Sequence, residues 1–339
     1  MIAKFGRRGF LKVSGAMLLA SAFPAVAQTA RALKFDEVKR LVKIASPYGS
    51  QVLAHDLRSG GSYQTRNGLA TVSGMDPAVY LRGRTTDAML GGVDVMIHES
   101  THHLCKMLAY ERDPDSIHQR GTMMAMPDTR VRIFVRGTET FPSKETVGFF
   151  RGQFARAPRF DTYIDSEMSQ LATQSCGVYG LLDEYNAYYA GIRTANDVFK
   201  YYLRLPVKKG TEGLWMMRLS EMSTGIGSFP EFRGYIGGYL AFAKQNHPSV
   251  YKEVTGNAGF VKAFRALTKS FRALTHELVS QFDSRLALFN RKGLDIQMVD
   301  GTLKVKSAGR GLGFGYYHKL EKALAGDSRI QAELKKLKA

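Results

Sequence analysis

The sequence predicts an α+β protein with a small β region toward the N-terminus and a mainly helical C-terminal part. Three observations predict it. Between residues 28 and 84, short apolar runs alternate with Gly and Ser clusters, as strands joined by turns do. Around residues 86–110, and again from about Phe160 onward, apolar residues recur every three or four positions, the spacing of a helix with one buried face. The chain has 339 residues, 44% hydrophobic and 23% charged, which suffices for one large or two smaller domains and excludes wholesale disorder, a collagen and a coiled-coil rod.

The chain begins with a leader pattern. Lys4, Arg7, Arg8 and Lys12 occur without an acid, a weakly apolar stretch runs from Val13 to Phe23, and Pro24 and Ala25-Val26-Ala27 follow. This predicts a signal peptide, residues 1–27, cut after Ala27. The stretch is too short and too rich in Gly, Ala and Ser to span a bilayer, and no later segment reaches the roughly 18 apolar residues of a membrane helix. Gly6-Arg7-Arg8-Gly9-Phe10-Leu11-Lys12 resembles the bacterial twin-arginine export signal, with Gly6 where Ser or Thr is usual. That resemblance implies export of an already folded protein to the periplasm or beyond.

The elements follow in order. Gln51 to Ala54, Ala70 to Ser73 and Val79 to Leu81 read as short strands. Thr85-Thr86-Asp87 supplies capping chemistry for a helix on which Met89, Val93, Ile97, Leu104 and Leu108 share a face, with Gly91-Gly92 breaking its first turn and Asp113-Pro114 ending it. Val131, Ile133 and Val135 alternate as in a half-buried strand. Tyr163 to about Tyr189 reads as one or two helices, interrupted at Cys176-Gly177. Ala195 to Leu203 and Tyr235 to Gln245 read as further helices, with Lys208-Lys209-Gly210 as a hinge. Phe260 to about Asn290 is a long helix with Phe264, Leu267, Phe271, Leu274, Leu278, Phe282, Leu286 and Phe289 on one face. Phe-Arg-Ala-Leu-Thr occurs there twice, which reads as a core stripe.

His98-Glu99-Ser100-Thr101-His102 carries the chemistry. On a helix, residues four apart lie on one face, so both imidazoles reach one metal ion while Glu99 points toward a water bound to it. The pattern suits zinc, with His98 and His102 as ligands and Glu99 as general base. Catalytic zinc takes a third protein ligand and keeps one position open. No histidine follows His102 at the short spacing of a third-His site. The best candidate is an acid on a second helix, and Glu184 lies among Leu181, Leu182 and Ala187, where a carboxylate is costly unless paired or ligated.

Here the chain resembles the gluzincin type of zinc metallopeptidase, which combines a His-Glu-x-x-His helix with a ligand Glu on a following helix; the matching residues are His98, Glu99, His102 and Glu184. The resemblance lies within residues 85–190. It implies a zincin-like fold and hydrolysis of a peptide or protein by a zinc-activated water, with residues 28–205 as the catalytic region and 206–339 as a helical C-terminal region. One departure is Tyr188, four residues after Glu184, where the thermolysin-like subgroup has Asp. Tyr188 is also the first candidate donor to the oxyanion, or else a packing residue. Two other readings remain open: a non-catalytic zinc-bearing scaffold or binding protein of the envelope, and a zinc hydrolase acting on cell-wall peptides.

Other features read plainly. Cys105 and Cys176 suffice for one bridge between the two site helices, or are two unpaired small hydrophobes. His103 points about 100° away from its neighbour, as a packed or solvent-facing residue. Asp94 lies one turn before His98, positioned to orient its ring or to face solvent. Gly311-x-Gly313-x-Gly315 lacks the Lys of a phosphate loop. Lys plus Arg exceeds Asp plus Glu by 48 to 30, a net charge of +18. The cations read as scattered along the chain, which predicts association with an anionic cell envelope and not with nucleic acid.

Overall fold

The computed structural model describes residues 25–203 apart from 82 and 84, residues 225–280 with 284 and 287, and in the C-terminal part 296–299, 302–305, 311–313 and 315–338. The leader basic cluster, the Lys208-Lys209-Gly210 hinge, and Phe282, Leu286 and Phe289 lie outside the described side chains. Mixed α and β structure is present, and helix dominates. None of the described helices is long and apolar enough to cross a membrane.

The N-terminal part is more helical than the sequence suggests. Helix α1 (Ala25–Ala45) crosses the expected cleavage point at Ala27, and α2 (Pro47–Leu53) replaces the strand expected near Gln51. The reason for α2 is local. Ser46 is in an extended conformation, its side chain accepts from the Gly49 amide, and Pro47 occupies the first helical turn. Strands β1 (Gly61–Thr65) and β2 (Gly68–Val72) form an antiparallel hairpin, and Pro77–Tyr80 is a 3-10 turn, not a strand.

Short α3 (Thr86–Leu90) is capped by Thr85 and ends before Gly91; α4 (Val93–Arg112) then carries the histidine pair and stops at Asp113. The hairpin of β3 (Met123–Asp128) and β4 (Val131–Val135) follows. It is this hairpin, more than β1–β2, that packs on α4, so the supporting β layer comes after the site helix and not before it. Two single turns, α5 (Phe160–Tyr163) and α6 (Ala172–Ser175), lead into α7 (Val178–Leu203), one continuous helix through the segment expected to form a separate one. The expected break at Cys176-Gly177 is present. Gly177 has φ 53°, and a Cβ there would fall 2.5 Å from the Phe141 carbonyl oxygen, so only glycine fits.

The remaining elements are α8 (Ser228–Asn246), α9 (Pro248–Gly256), α10 (Ala258–Ser280), the antiparallel strands β5 (Ile296–Val299), β6 (Thr302–Val305) and β7 (Gly311–Gly313), then α11 (Gly315–Gly326) and α12 (Ser328–Lys338). The expected stripe on α10 is a core stripe: Phe264, Leu267, Phe271, Leu274 and Leu278 are all buried. The Tyr185 ring of α7 sits 5.4 Å from Phe271 and 6.2 Å from Phe264. Burial of such large rings is the main stabilising contribution, about 1.5–3 kcal/mol for each fully buried side chain of this size. The opposite face of α10 departs from the reading of scattered cations, because it gathers Lys262, Arg265, Lys269, Arg272 and His276, all exposed.

Helix α4 packs most extensively on α7. The pair runs antiparallel: Asp94 meets Gly191 at one end, and His102 meets Asp183 at the other. Close approach is set by Gly191, where a Cβ would lie 2.5 Å from the Asp94 carbonyl oxygen. That proximity brings residues 98 and 102 of one helix against 183, 184 and 188 of the other.

Candidate metal centre

The structure brings His98, His102 and Glu184 together as a group able to hold a metal ion, their ligand atoms all within 4.8 Å of one another. The three atoms form a near-equilateral triangle. His98 Nε2 and His102 Nε2 are 3.1 Å apart, and Glu184 Oε2 lies 3.3 Å from the first and 3.5 Å from the second. Zinc bonds of about 2.0–2.1 Å in tetrahedral array place ligand atoms roughly 3.3–3.4 Å apart, so the donor set fits one face of such a tetrahedron. The side chains are mostly buried, with relative exposures of 12% for His98, 21% for His102 and 8% for Glu184.

Hydrogen bonding fixes the direction of the lone pairs. His102 Nδ1 lies 2.7 Å from Asp183 Oδ2, so Nδ1 carries the proton and donates to the carboxylate. In the neutral ring Nε2 then points a lone pair at the centre of the triangle. Glu184 Oε2 is buried with no hydrogen bond of good geometry, and only the ring nitrogens face it. Three potential donor atoms converging in a mostly buried site favour a positive charge between them.

The electrostatics agree. Burial alone lowers the pKa of His102, but the carboxylates of Asp183 and Glu184 outweigh it and hold the ring well above its ordinary value. Burial raises Glu184, and His102 and then His98 outweigh it, holding the carboxyl below its usual range. Both directions have one cause: two carboxylates surround the imidazoles and favour a cation there, whether proton or metal.

Glu99 follows His98 on α4, is half-exposed, and makes no hydrogen bond or ion pair among the described residues. A carboxylate left accessible beside buried ligands is available for proton transfer. Tyr80 ends the 3-10 turn that packs on α4. Its phenol is raised by burial and by the Glu99 charge, while His102 opposes.

Tyr188 lies where the sequence puts it. Its ring packs edge-on against His98 with centroids 4.5 Å apart, and its hydroxyl is 3.1 Å from that of Tyr163. The guanidinium carbon of Arg159 sits 4.6 Å from the Tyr188 ring centroid. Arg159 pairs in turn with Glu231 of α8 at 3.0 Å, and Tyr316 of α11 donates to the same Glu231 oxygen at 2.8 Å. Glu231 is fully buried, and burial raises its pKa while Arg159 opposes. Contacts thus run from helix α11 through Glu231, Arg159 and Tyr188 to the ring of His98.

Sequence reasoning misses Asp183, Tyr80, Tyr163, Arg159 and Glu231. Asp183 alone carried a usable signal, being an acid beside Glu184 in an apolar stretch. Asp94 makes no hydrogen bond to His98 among the described residues, and the orienting carboxylate is Asp183, acting on the other ring. His103 is half-buried with its Nε2 unpartnered, away from the triangle. Cys105 and Cys176 are both free. Cys105 is turned toward Asn186, whose amide nitrogen lies 3.4 Å from the sulfur, whereas Cys176 closes the turn before α7 beside Ser175. No protein-family model, curated protein or solved structure matches the chain.

Proposed function

We propose that the protein is an exported zinc metallopeptidase of the gluzincin type, with His98, His102 and Glu184 as ligands and a zincin-like catalytic region in which α4 is the active-site helix. The observation that carries this reading is the donor triangle of 3.1, 3.3 and 3.5 Å with an uncommitted Glu99 beside it. His98, His102 and Glu184 would hold the zinc ion, which would supply Lewis acidity to polarise a substrate carbonyl and to acidify the attacking water.

The protein's own groups complete the reaction. A Glu99 carboxylate oxygen takes a proton from the attacking water and delivers it to the leaving amine, so hydrolysis proceeds without a covalent intermediate. Asp183 holds the His102 ring with Nδ1 protonated and keeps Nε2 free to ligate. The hydroxyls of Tyr188 and Tyr163, tied to each other beside His98, offer donors for the charge that develops on the carbonyl oxygen. Arg159 behind Tyr188 strengthens that donor by favouring negative charge next to it.

A purely structural zinc site has no use for a half-exposed carboxylate beside its ligands, which favours an enzyme over a scaffold. The test is metal content with activity. Purified protein is expected to hold about one zinc per chain and to cleave peptides in a mixed library read by mass spectrometry. Glu99→Gln is expected to keep the zinc and lose cleavage by about a hundredfold or more. A Glu99→Gln protein that cleaves as well as the parent would remove the base, and a zinc-loaded parent that cleaves nothing would leave a binding protein.

A further inference from the structure

The outward face of α10 plays no part in the metal centre. Lys262, Arg265, Lys269, Arg272 and His276 follow one another at three- and four-residue intervals, so they form one stripe, and all five are exposed. The helix cannot rotate to hide them, because its other face carries the buried Phe264, Leu267, Phe271, Leu274 and Leu278. Nor does an acid on the helix neutralise them. Glu277, the single acid of α10, turns toward α7, where the Asn196 amide donates to it at 3.0 Å and Lys200 pairs with it. Lys262, Lys269 and Arg272 have no ion pair among the described residues. Arg265 donates from Nε to the Leu337 carbonyl oxygen at 2.6 Å, anchoring the end of α12 beside the stripe. Ala258 and Val261, just before Lys262, and Ala266, between the cations, share an open groove with Lys262, Arg265 and Lys269.

An uncompensated row of like charges favours an anionic partner, and its form narrows the choice. From Lys262 to Arg272 the cations extend along roughly 15 Å of helix at about 1.5 Å per residue. That is a line of charge suited to an array of anions and not to one small ion. The accessible residues beside and between the cations are Ala258, Gly259, Val261, Ala266, Ser270 and Ala273. None offers an aromatic face for a base to stack on or an amide to read a base edge, the groups that nucleic-acid sites interleave with their cations. Small apolar side chains between cations instead match a layer whose phosphates are underlain by hydrocarbon.

We propose that α10 docks the protein onto the surface of an anionic phospholipid bilayer, with Lys262, Arg265, Lys269 and Arg272 at the headgroup phosphates and Ala258, Val261 and Ala266 toward the glycerol level. The full chain is expected to sediment with vesicles of mixed phosphatidylglycerol and phosphatidylcholine and not with phosphatidylcholine alone, and to be released as salt rises from about 50 to 500 mM. Neutralising the stripe with Lys262→Gln, Lys269→Gln and Arg272→Gln together is expected to weaken vesicle binding about a hundredfold, at roughly fivefold per cation. Lys39→Gln, Arg40→Gln and Lys43→Gln on exposed α1 positions remove the same charge and are expected to change it less than about threefold. If the α10 triple does not fold, Lys269→Gln alone is expected to show the roughly fivefold loss. The proposal is overturned by no sedimentation with anionic vesicles, by equal losses in the two triples, or by a stripe variant that loses RNA binding while vesicle binding stays intact.

Discussion

Asp183 and His102 are joined by a 2.7 Å contact between a carboxylate oxygen and Nδ1 across two antiparallel helices, and this contact decides which nitrogen of His102 faces His98 and Glu184. Glu184, the adjacent residue on α7, supplies a carboxylate to the triangle itself. Two consecutive acids therefore do different work. Asp183→Asn is expected to weaken zinc affinity by about 10- to 100-fold, while saturating zinc restores most of the activity. A chelator-competition titration measures the first, and peptide cleavage at raised zinc the second.

Glu184→Gln should behave differently. The amide keeps the volume but loses the charge that the two imidazoles face, so zinc content after dialysis is expected to fall well below one per chain. Elemental analysis of parent and variant side by side checks this. Unchanged zinc would assign the third ligand to another residue.

The close approach of α4 and α7 makes Gly191 sensitive. A Cβ there would meet the Asp94 carbonyl oxygen at 2.5 Å, and backbone cannot step aside without separating the helices. Gly191→Val is expected to cost about 1–3 kcal/mol of stability, seen as a lower urea midpoint, and to weaken zinc binding although no ligand is touched.

The two thiols are expected to react unequally. Cys105 is fully buried and burial pushes its thiol far above the ordinary value, whereas Cys176 is partly exposed. Native protein treated with iodoacetamide should gain one adduct, mapped to Cys176, and denatured protein should gain two without reductant. Denatured protein that gains no adduct until reductant is added, and then gains two, would establish a bridge.

Acid should weaken the last helix. Asp327 accepts from the amides of Arg329 and Ile330 at 3.1 and 3.3 Å, capping α12. Burial raises its carboxyl, but the Arg329 side chain and these amides outweigh it and hold the folded pKa below 3.8. A depressed carboxylate pKa gives stability that is present above 3.8 and fades as pH falls through the lower folded value. Asp327→Ala is expected to lower stability by about 1 kcal/mol at neutral pH and by much less near pH 2, as read by urea unfolding at both.

The histidine pair was legible because a helix repeats every 3.6 residues, so a four-residue interval alone places 98 and 102 on one face. Glu184 was legible for a different reason: a carboxylate amid the buried Leu181, Leu182 and Ala187 needs a counter-charge. Asp183 had the same neighbours and the same signal, but nothing local tells that it meets the outer nitrogen of His102 while Glu184 meets the inner one. Arg159 and Glu231, 72 positions apart, are likewise invisible until the chain folds. The strand expected at Gln51 is a helix because Ser46-Pro47 caps and starts α2, and this local chemistry overrides the Gly49-Ser50 turn pattern. The segment Ala195 to Leu203 became part of α7 because nothing after Tyr189 breaks the ladder, and Ser46 Oγ bonded to Asp197 at 2.9 Å fastens it to the N-terminal helices.

The polar thread from Tyr316 through Glu231 and Arg159 to Tyr188 bears on how the protein can be shortened. A fragment ending near residue 205 keeps every expected ligand and the base, yet removes the buried Glu231 that pairs with Arg159 and the Tyr316 that donates to it. The stretch that keeps this centre packed is therefore longer than the run of residues that bears the histidine pair and Glu184, and trimming the tail should loosen the centre from behind.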